Sequence, residues 1–286
     1  MTALDDLVHL LDLEAIEVNL FRGVSPDENR QRVFGGQVAG QALVAATRTV
    51  DSSRHVHSLH AYFLRPGDPA RPIIYEVDPI RDGRGFSTRR VVARQGGRAI
   101  FNTAISYQLP EEGFAHHEPM PAVPAPESLE SDFAFYTRKS TEQPGRYHAF
   151  TRHPVDYRTL ERLDRYDPPA RAARFGVWMR ANGTMPDDPG VHAQMLAYMS
   201  DSYLMSTALL PHAIAHDNPA LQSASLDHAL VFYADFRADE WLYYHLASPL
   251  AGGGRGLNIG HVYTRDGRLV AAAVQEGLIR RVSAPR

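Results

Sequence analysis

Val33-Phe-Gly-Gly-Gln-Val-Ala-Gly-Gln-Ala-Leu43, then Ser58-Leu-His-Ala-Tyr-Phe63, Gly85-Phe-Ser-Thr88 and Gly97-Arg-Ala-Ile100, decides the reading of this chain, because the order returns in its second half. There it runs Met195-Leu-Ala-Tyr-Met-Ser-Asp-Ser202, Ser225-Leu-Asp-His-Ala-Leu230, Gly256-Leu-Asn-Ile259 and Gly267-Arg-Leu-Val270. Identity is low, but order and approximate spacing agree, as in a duplicated fold. The duplication also gives a rule for finding function. A polar residue present in only one copy is not demanded by the fold.

Around these anchors the pattern is one helix and several strands per half. Phe34-Gly-Gly-Gln37 opens a helix through about Thr49; glycines at a helix start let a neighbour or ligand approach the backbone. Strand-like runs follow at 56–64, 73–77, 87–94 and 99–108, with turns at Arg81-Asp-Gly-Arg-Gly85 and Gln95-Gly-Gly-Arg98. The stretch from Pro110 to Pro126 is rich in proline and reads as a linker. Residues 127–175 show no clear period and suggest an irregular connection with room for a short helix. The second half starts with a strand near Phe175 and has a long helix from Val191 to Leu210. Its strands are expected at 225–233, 241–248, 256–263 and 269–281. Hairpin-linked strands outnumber helices, so the class is α+β with antiparallel sheet. The division is an N-terminal half over 1–109, a connection over 110–174 and a C-terminal half over 175–286.

Composition excludes several functions. A net charge of −3 gives no nucleic-acid footprint. With no cysteine there are no disulfides or thiolate nucleophiles, which fits a reducing cytoplasm. The first residues lack a basic region and read as an amphipathic helix with Leu4, Leu7, Val8 and Leu11 on one face, not as a signal peptide. No run reaches transmembrane length, and Ser283-Ala-Pro-Arg286 is not a peroxisomal address. No cofactor and no metal site are expected. His116-His117 lack ligand spacing around them, and Gly252-Gly-Gly-Arg-Gly256 lacks a P-loop ending and reads as a hairpin turn. No Gly-x-Ser-x-Gly elbow occurs.

Three residues stand out chemically. Asp201 lies within the helical run beside Ala197, Leu204, Met205 and Ala208, where a carboxylate is costly unless paired or used. Half one offers only Gln37 in the matching region. Gln275 shares a strand face with Ala271, Ala273 and Gly277, and its match is about Ile105. Ser225 opens a strand, but Ser58 holds the same place in half one. Each has a plain structural reading: an ion-paired aspartate, a glutamine bonded to backbone, a structural serine. Together they could hold one water for hydrolysis of an activated carbonyl such as a thioester. Backbone N–H groups at Gly35, Gly36 and Gln37 could meet the oxyanion. Asp227 and His228 are adjacent in a strand, hence on opposite faces, and do not form an acid–base pair.

These stretches, with Leu20-Phe-Arg-Gly23, His57 to Asp68, Trp178-Met-Arg-Ala-Asn-Gly183 and Val274-Gln-Glu-Gly277, resemble the acyl-CoA thioesterase II (TesB) family of bacteria and its peroxisomal relatives. The resemblance runs along nearly the whole chain, with residues 127–175 the poorest match. It implies a double hotdog, two fused copies of a long helix wrapped by a curved antiparallel sheet. It implies hydrolysis of fatty acyl-CoA to acid and CoA without a covalent intermediate. It places the family's water-holding Asp, Ser or Thr, and Gln on Asp201, Ser225 and Gln275. It also implies assembly into a homo-oligomer, dimer or tetramer. One site per chain is expected, between the halves, with the pseudo-equivalent cleft filled by side chains. The alternatives are a hotdog hydratase or dehydratase, which would need a histidine with the aspartate, and a non-catalytic acyl-CoA binding protein.

Overall fold

The computed structural model describes residues 2–26, 31–145, 147, 153–162, 167–216 and 218–282; the terminal tetrapeptide 283–286 lies outside the described residues. Helix α1 (Ala3–Leu11) starts with a reciprocal Thr2/Asp5 capping box and buries Leu4, Leu7 and Leu11. Two short strands follow, β1 (Glu14–Glu17) and β2 (Leu20–Gly23). Then come helix α2 (Gly35–Thr47) and strands β3 (His55–Phe63), β4 (Ile73–Asp82), β5 (Phe86–Gln95) and β6 (Arg98–Gln108). The connection holds helix α3 (Asp132–Glu142) and strand β7 (Val155–Thr159). The second half comprises β8 (Arg174–Ala181), α4 (Pro189–Met199), β9 (Leu221–Ser225), β10 (Asp227–Phe232), β11 (Leu242–Gly252), β12 (Arg255–Thr264) and β13 (Leu269–Arg281).

Among the described residues, thirteen strands form one sheet, ordered β1-β2-β4-β5-β6-β3-β10-β13-β12-β11-β8-β7, with β9 on β13. Each pairing is antiparallel. The halves join at β3–β10, where Leu59 pairs with Leu230 and Ala61 with His228. Both tight hairpins turn on paired glycines at positive φ, Gly96-Gly97 in one half and Gly253-Gly254 in the other. The inner face is apolar and wraps the two helices; Leu43, Leu59, Tyr75, Met195 and Tyr244 have almost no exposure. Fully burying one such side chain is worth roughly 1.5–3 kcal/mol, so this face holds the wrap closed. The arrangement is the double hotdog that the resemblance implies.

Helices α2 and α4 run antiparallel along their contact. A Cβ on Gly36 would lie 2.2 Å from Tyr198 O, and one on Gly40 would lie 3.4 Å from Gln194 O. No side chain fits at Gly36, so the glycines of Phe34-Gly-Gly-Gln37 permit the contact between halves.

Three expectations are corrected. The run from Val191 to Leu210 is not one helix. Helix α4 ends at the cap residue Ser200, a turn follows in which Tyr203 has φ +65°, and Met205–His212 is a 3₁₀ segment containing Pro211. Asp201 therefore stands just past a helix end. Its counterpart is accordingly Thr49, just past the α2 cap residue Arg48, and not Gln37, which lies at the other end of α2. Ser225 also has a different counterpart. Ser225 pairs with Gly277, and Leu226 interrupts the strand after it. In half one Val56 pairs with Tyr107, and the register slips at His57. Aligning the two irregularities matches Ser225 to Val56, not Ser58. The same alignment agrees with Ile105 as the counterpart of Gln275.

Candidate active site

Asp201 is held by both halves. Its Oδ2 accepts the backbone N–H of Gly36 at 2.9 Å, and its Oδ1 accepts Gln275 Nε2 at 2.8 Å. Gly36 belongs to the first turn of α2, where amides lack intrahelical partners and the helix dipole favours an anion. Gly35 is equally constrained, since a Cβ there would lie 2.6 Å from Asp201 Oδ2.

The turn carrying Asp201 is braced from the connection. Tyr157 OH lies 2.9 Å from Ser202 Oγ, and Tyr203 OH donates to the buried carboxylate of Asp132 in α3, which also pairs with Arg162. Tyr203 packs its ring against Tyr157 and Phe175. These contacts offset the unfavourable left-handed backbone at Tyr203. Burial pushes the Asp132 carboxyl up, against its hydrogen bonds to Tyr203, Arg162 and Thr159, and raises the Tyr157 and Tyr203 hydroxyls.

Asp201 and Ser225 line one cavity of about 830 Å³, together with Gly35, Phe63, Phe133 and Leu209. Both halves and the connection contribute to its wall. Gln275 is fully buried beneath Asp201, and its Oε1 has no hydrogen-bond partner. Ser225 opposes Gly277 on the strand that carries Gln275. Gln37 does not join them: its amide donates to Val24 O and Ser25 Oγ, each at 3.0 Å. The Gly36 N–H is already bonded to Asp201, so of the expected oxyanion donors only Gly35 both lines the cavity and is not engaged by that carboxylate. Among the described residues no group of three His, Asp or Glu side chains is placed to hold a metal ion, and no helix is long and apolar enough to cross a membrane.

Two polar neighbours of Gln275 escaped the sequence reading. Asn258 on β12 pairs directly with Gln275, is fully buried and donates to Gln275 O at 3.3 Å. His228 on β10 lies on the other flank, with Nδ1 3.3 Å from Gln275 Nε2 and Nε2 2.9 Å from Ser200 Oγ. Burial pushes the His228 imidazole below its ordinary value, against the opposing charges of Asp201 and Asp227. Asp227 is indeed turned to the opposite face, where it accepts the Glu276 N–H. The alternation of His228, Leu230 and Phe232 marked His228 as buried; only the strand register brings it to Gln275.

Comparison with known proteins gives the family. Residues 25–108 match the family model described as acyl-CoA thioesterase N-terminal domain, and residues 150–278 match acyl-CoA thioesterase. The chain is 38% identical to acyl-CoA thioesterase 2 of Haemophilus influenzae, over 97% of this chain and 98% of that one. It is 40% identical to human acyl-coenzyme A thioesterase 8, over 95% of this chain and 88% of the relative. A crystal structure of acyl-CoA thioesterase II TesB2 from Mycobacterium marinum superposes with a TM-score of 0.80 at 44% identity, covering 97% of this chain and 99% of that one. Dehydratase domains also superpose, but at 12% and 10% identity they share only the fold. With its two hotdog halves matched in order and 95–97% of its length aligned to these relatives, the chain belongs to the acyl-CoA thioesterase II (TesB) family.

Proposed function

We propose that this protein hydrolyses fatty acyl-CoA to the free acid and CoA, using a water activated by Asp201 and oriented by Ser225 and Gln275. The observation that carries the reading is Asp201 itself, a carboxylate on the wall of a large cavity, held through both oxygens by Gly36 N–H and Gln275 Nε2. Such a group is oriented in advance and can take a proton from water as the water oxygen attacks the thioester carbonyl. The Gly35 N–H is the proposed oxyanion donor. Collapse of the tetrahedral intermediate breaks the carbon–sulfur bond, and the proton returns from Asp201 to the departing thiolate. Gln275 Oε1 is left without a hydrogen-bond partner inside the fold, an arrangement that costs roughly 1–3 kcal/mol and that packing alone would not select.

His228 does not turn the site into a hydratase. It is 1% exposed, and both ring nitrogens have protein partners. A cytoplasmic setting and a homo-oligomer, dimer or tetramer, belong to the same proposal and rest on composition and resemblance.

Thiol release across acyl-CoA chain lengths tests the activity. Steady release without a burst, with no acyl mass on the intact protein and no loss in chelator, is expected. Interconversion of enoyl and hydroxyacyl thioesters without thiol release would replace this reading with the hydratase one.

A further inference from the structure

We propose that His228 is a positioning residue for this reaction, setting which way the Gln275 amide faces. The inference rests on the reading that Gln275 belongs to the catalytic set. The two ends of an amide differ only in their hydrogen bonding. Were the amide reversed, its oxygen would stand 2.8 Å from Asp201 Oδ1, acceptor against acceptor. The NH₂ therefore faces Asp201, and its second N–H points at His228 Nδ1, 3.3 Å away.

That bond requires a particular imidazole. Ser200 Oγ donates to Ala197 O at 3.3 Å, so it is free to accept from His228 Nε2 at 2.9 Å. The proton then sits on Nε2, and Nδ1 is left as an acceptor. The chain runs from His228 to Ser200 on one side and from Gln275 to His228 on the other. Tyr244 OH ties Ser200 to β11 through Ser200 O, at 3.0 Å. The charged groups about the ring are Asp201, from the turn after α4, and Asp227, on the opposite face of its own strand; Ala61 of β3 pairs with it from the other half. With both NH₂ protons engaged, one on Asp201 and one on His228, the orientation of the Gln275 amide against Asp201 is fixed. Removing the Nδ1 acceptor frees the amide, whose terminal torsion is intrinsically broad.

The half-one counterparts of His228 and Gln275 are Leu59 and Ile105, paired in the same register and almost fully buried. An aliphatic residue thus suits the fold at this position. The imidazole answers to Gln275.

The test is a set of turnover measurements on folded variants. Outer partners that orient a reacting group are typically worth about 10–100-fold, and His228→Leu is expected to lower kcat by that much while KM stays within about 2-fold. His228→Asn places an amide oxygen near Nδ1 and should recover most of the loss. His228→Gln reaches only toward Ser200 and should stay slow. In a Gln275→Ala background, His228→Leu should cost less than about 2-fold more, because both changes remove one unit. Should the leucine variant not fold, Ser200→Ala supplies the same comparison, with a smaller loss that also vanishes in the Gln275→Ala background. Equal turnover of the Asn and Gln variants, or multiplicative losses in the double variant, would overturn the positioning role and leave the catalytic set standing. Wild-type turnover in Gln275→Ala alone would remove the catalytic set, and the inference with it.

Discussion

The two halves build the same row of positions on the inner face of the sheet and fill it differently. In half one the row is Arg89, Ile105 and Leu59, beneath Thr49 at the end of α2. In half two it is Asn258, Gln275 and His228, beneath Asp201 at the end of α4. Arg89 reaches Thr49 through Oγ1 and O, both at 2.9 Å, and pairs with Asp82 at 2.8 Å. Tyr107 adds a hydroxyl 3.0 Å from Thr47 Oγ1, where half two has only Gly277. One end is plugged by an arginine and a tyrosine. The other keeps glycine and short amides, and beside it lies the cavity. The same scaffold supports both, so the fold does not by itself require the polar row of half two.

The comparison breaks most visibly at Asp201. Asp201→Ala is expected to lower kcat by about 10²–10⁴-fold, the usual cost of losing a general base. Ser225→Val, which installs the half-one residue, should cost less, because the hydroxyl is proposed only to orient water. A folded Asp201→Ala enzyme with near-normal thiol release would mean that the base is elsewhere.

Exchanging the middle of the row should give the next effect. Gln275→Ile copies half one into half two and is expected to cost about 10²-fold, the scale of one lost transition-state hydrogen bond. The reverse change, Ile105→Gln, should create no activity in an Asp201→Asn, Gln275→Ile background. Turnover regained there would show that the plugged end can work.

Arg89→Met tests the plug. It leaves turnover within about 2-fold but lowers stability by about 1–3 kcal/mol in denaturant melts, because Thr49 O and other acceptors lose a buried donor. A normal midpoint with impaired turnover would reverse the roles of the two ends.

The smallest effect is in pH dependence. Burial holds His228 below its ordinary value of 6.5, as it does His57, His192 and His245. Below 6.5 the unfolded chain takes up protons that the folded chain refuses, so stability is full above that value and falls as pH drops through the folded values. His228→Asn should flatten this acid loss. An identical slope with and without the imidazole would show that His228 titrates as it would in water.

Much of this was legible in the sequence because it was local. The Gly96-Gly97 and Gly253-Gly254 turns announce their hairpins, and alternation through Ala271, Ala273, Gln275 and Gly277 matches the buried face. Asp201 and Gln275 could be singled out by asymmetry alone. The length of α4 could not be read, since apolar residues continue past Ser200 while the break is enforced by distant partners: Gly36, Gln275 and the Asp132–Tyr203 contact. Strand β7 was missed because its burial does not alternate, Val155 and Asp156 both being buried. Asn258 and His228 needed strand register, and Ser225 was matched to Ser58 because the interruption at Leu226 cannot be seen in composition.

The bond from Gly36 to Asp201 has a further consequence for α2. Helices α1, α3 and α4 are each capped by their own preceding side chain, Thr2, Ser131 and Asp188. Helix α2 is preceded by Phe34, which offers no acceptor. Asp201 performs that service from the other half of the molecule, accepting the N–H that a local cap would take. A cap is typically worth about 1 kcal/mol, so the carboxylate proposed to activate water also helps start the central helix of the opposite half. Its removal is therefore felt in the melting temperature as well as in turnover. Asparagine, which retains an acceptor oxygen, separates the two: it can keep the helix start while giving up the base.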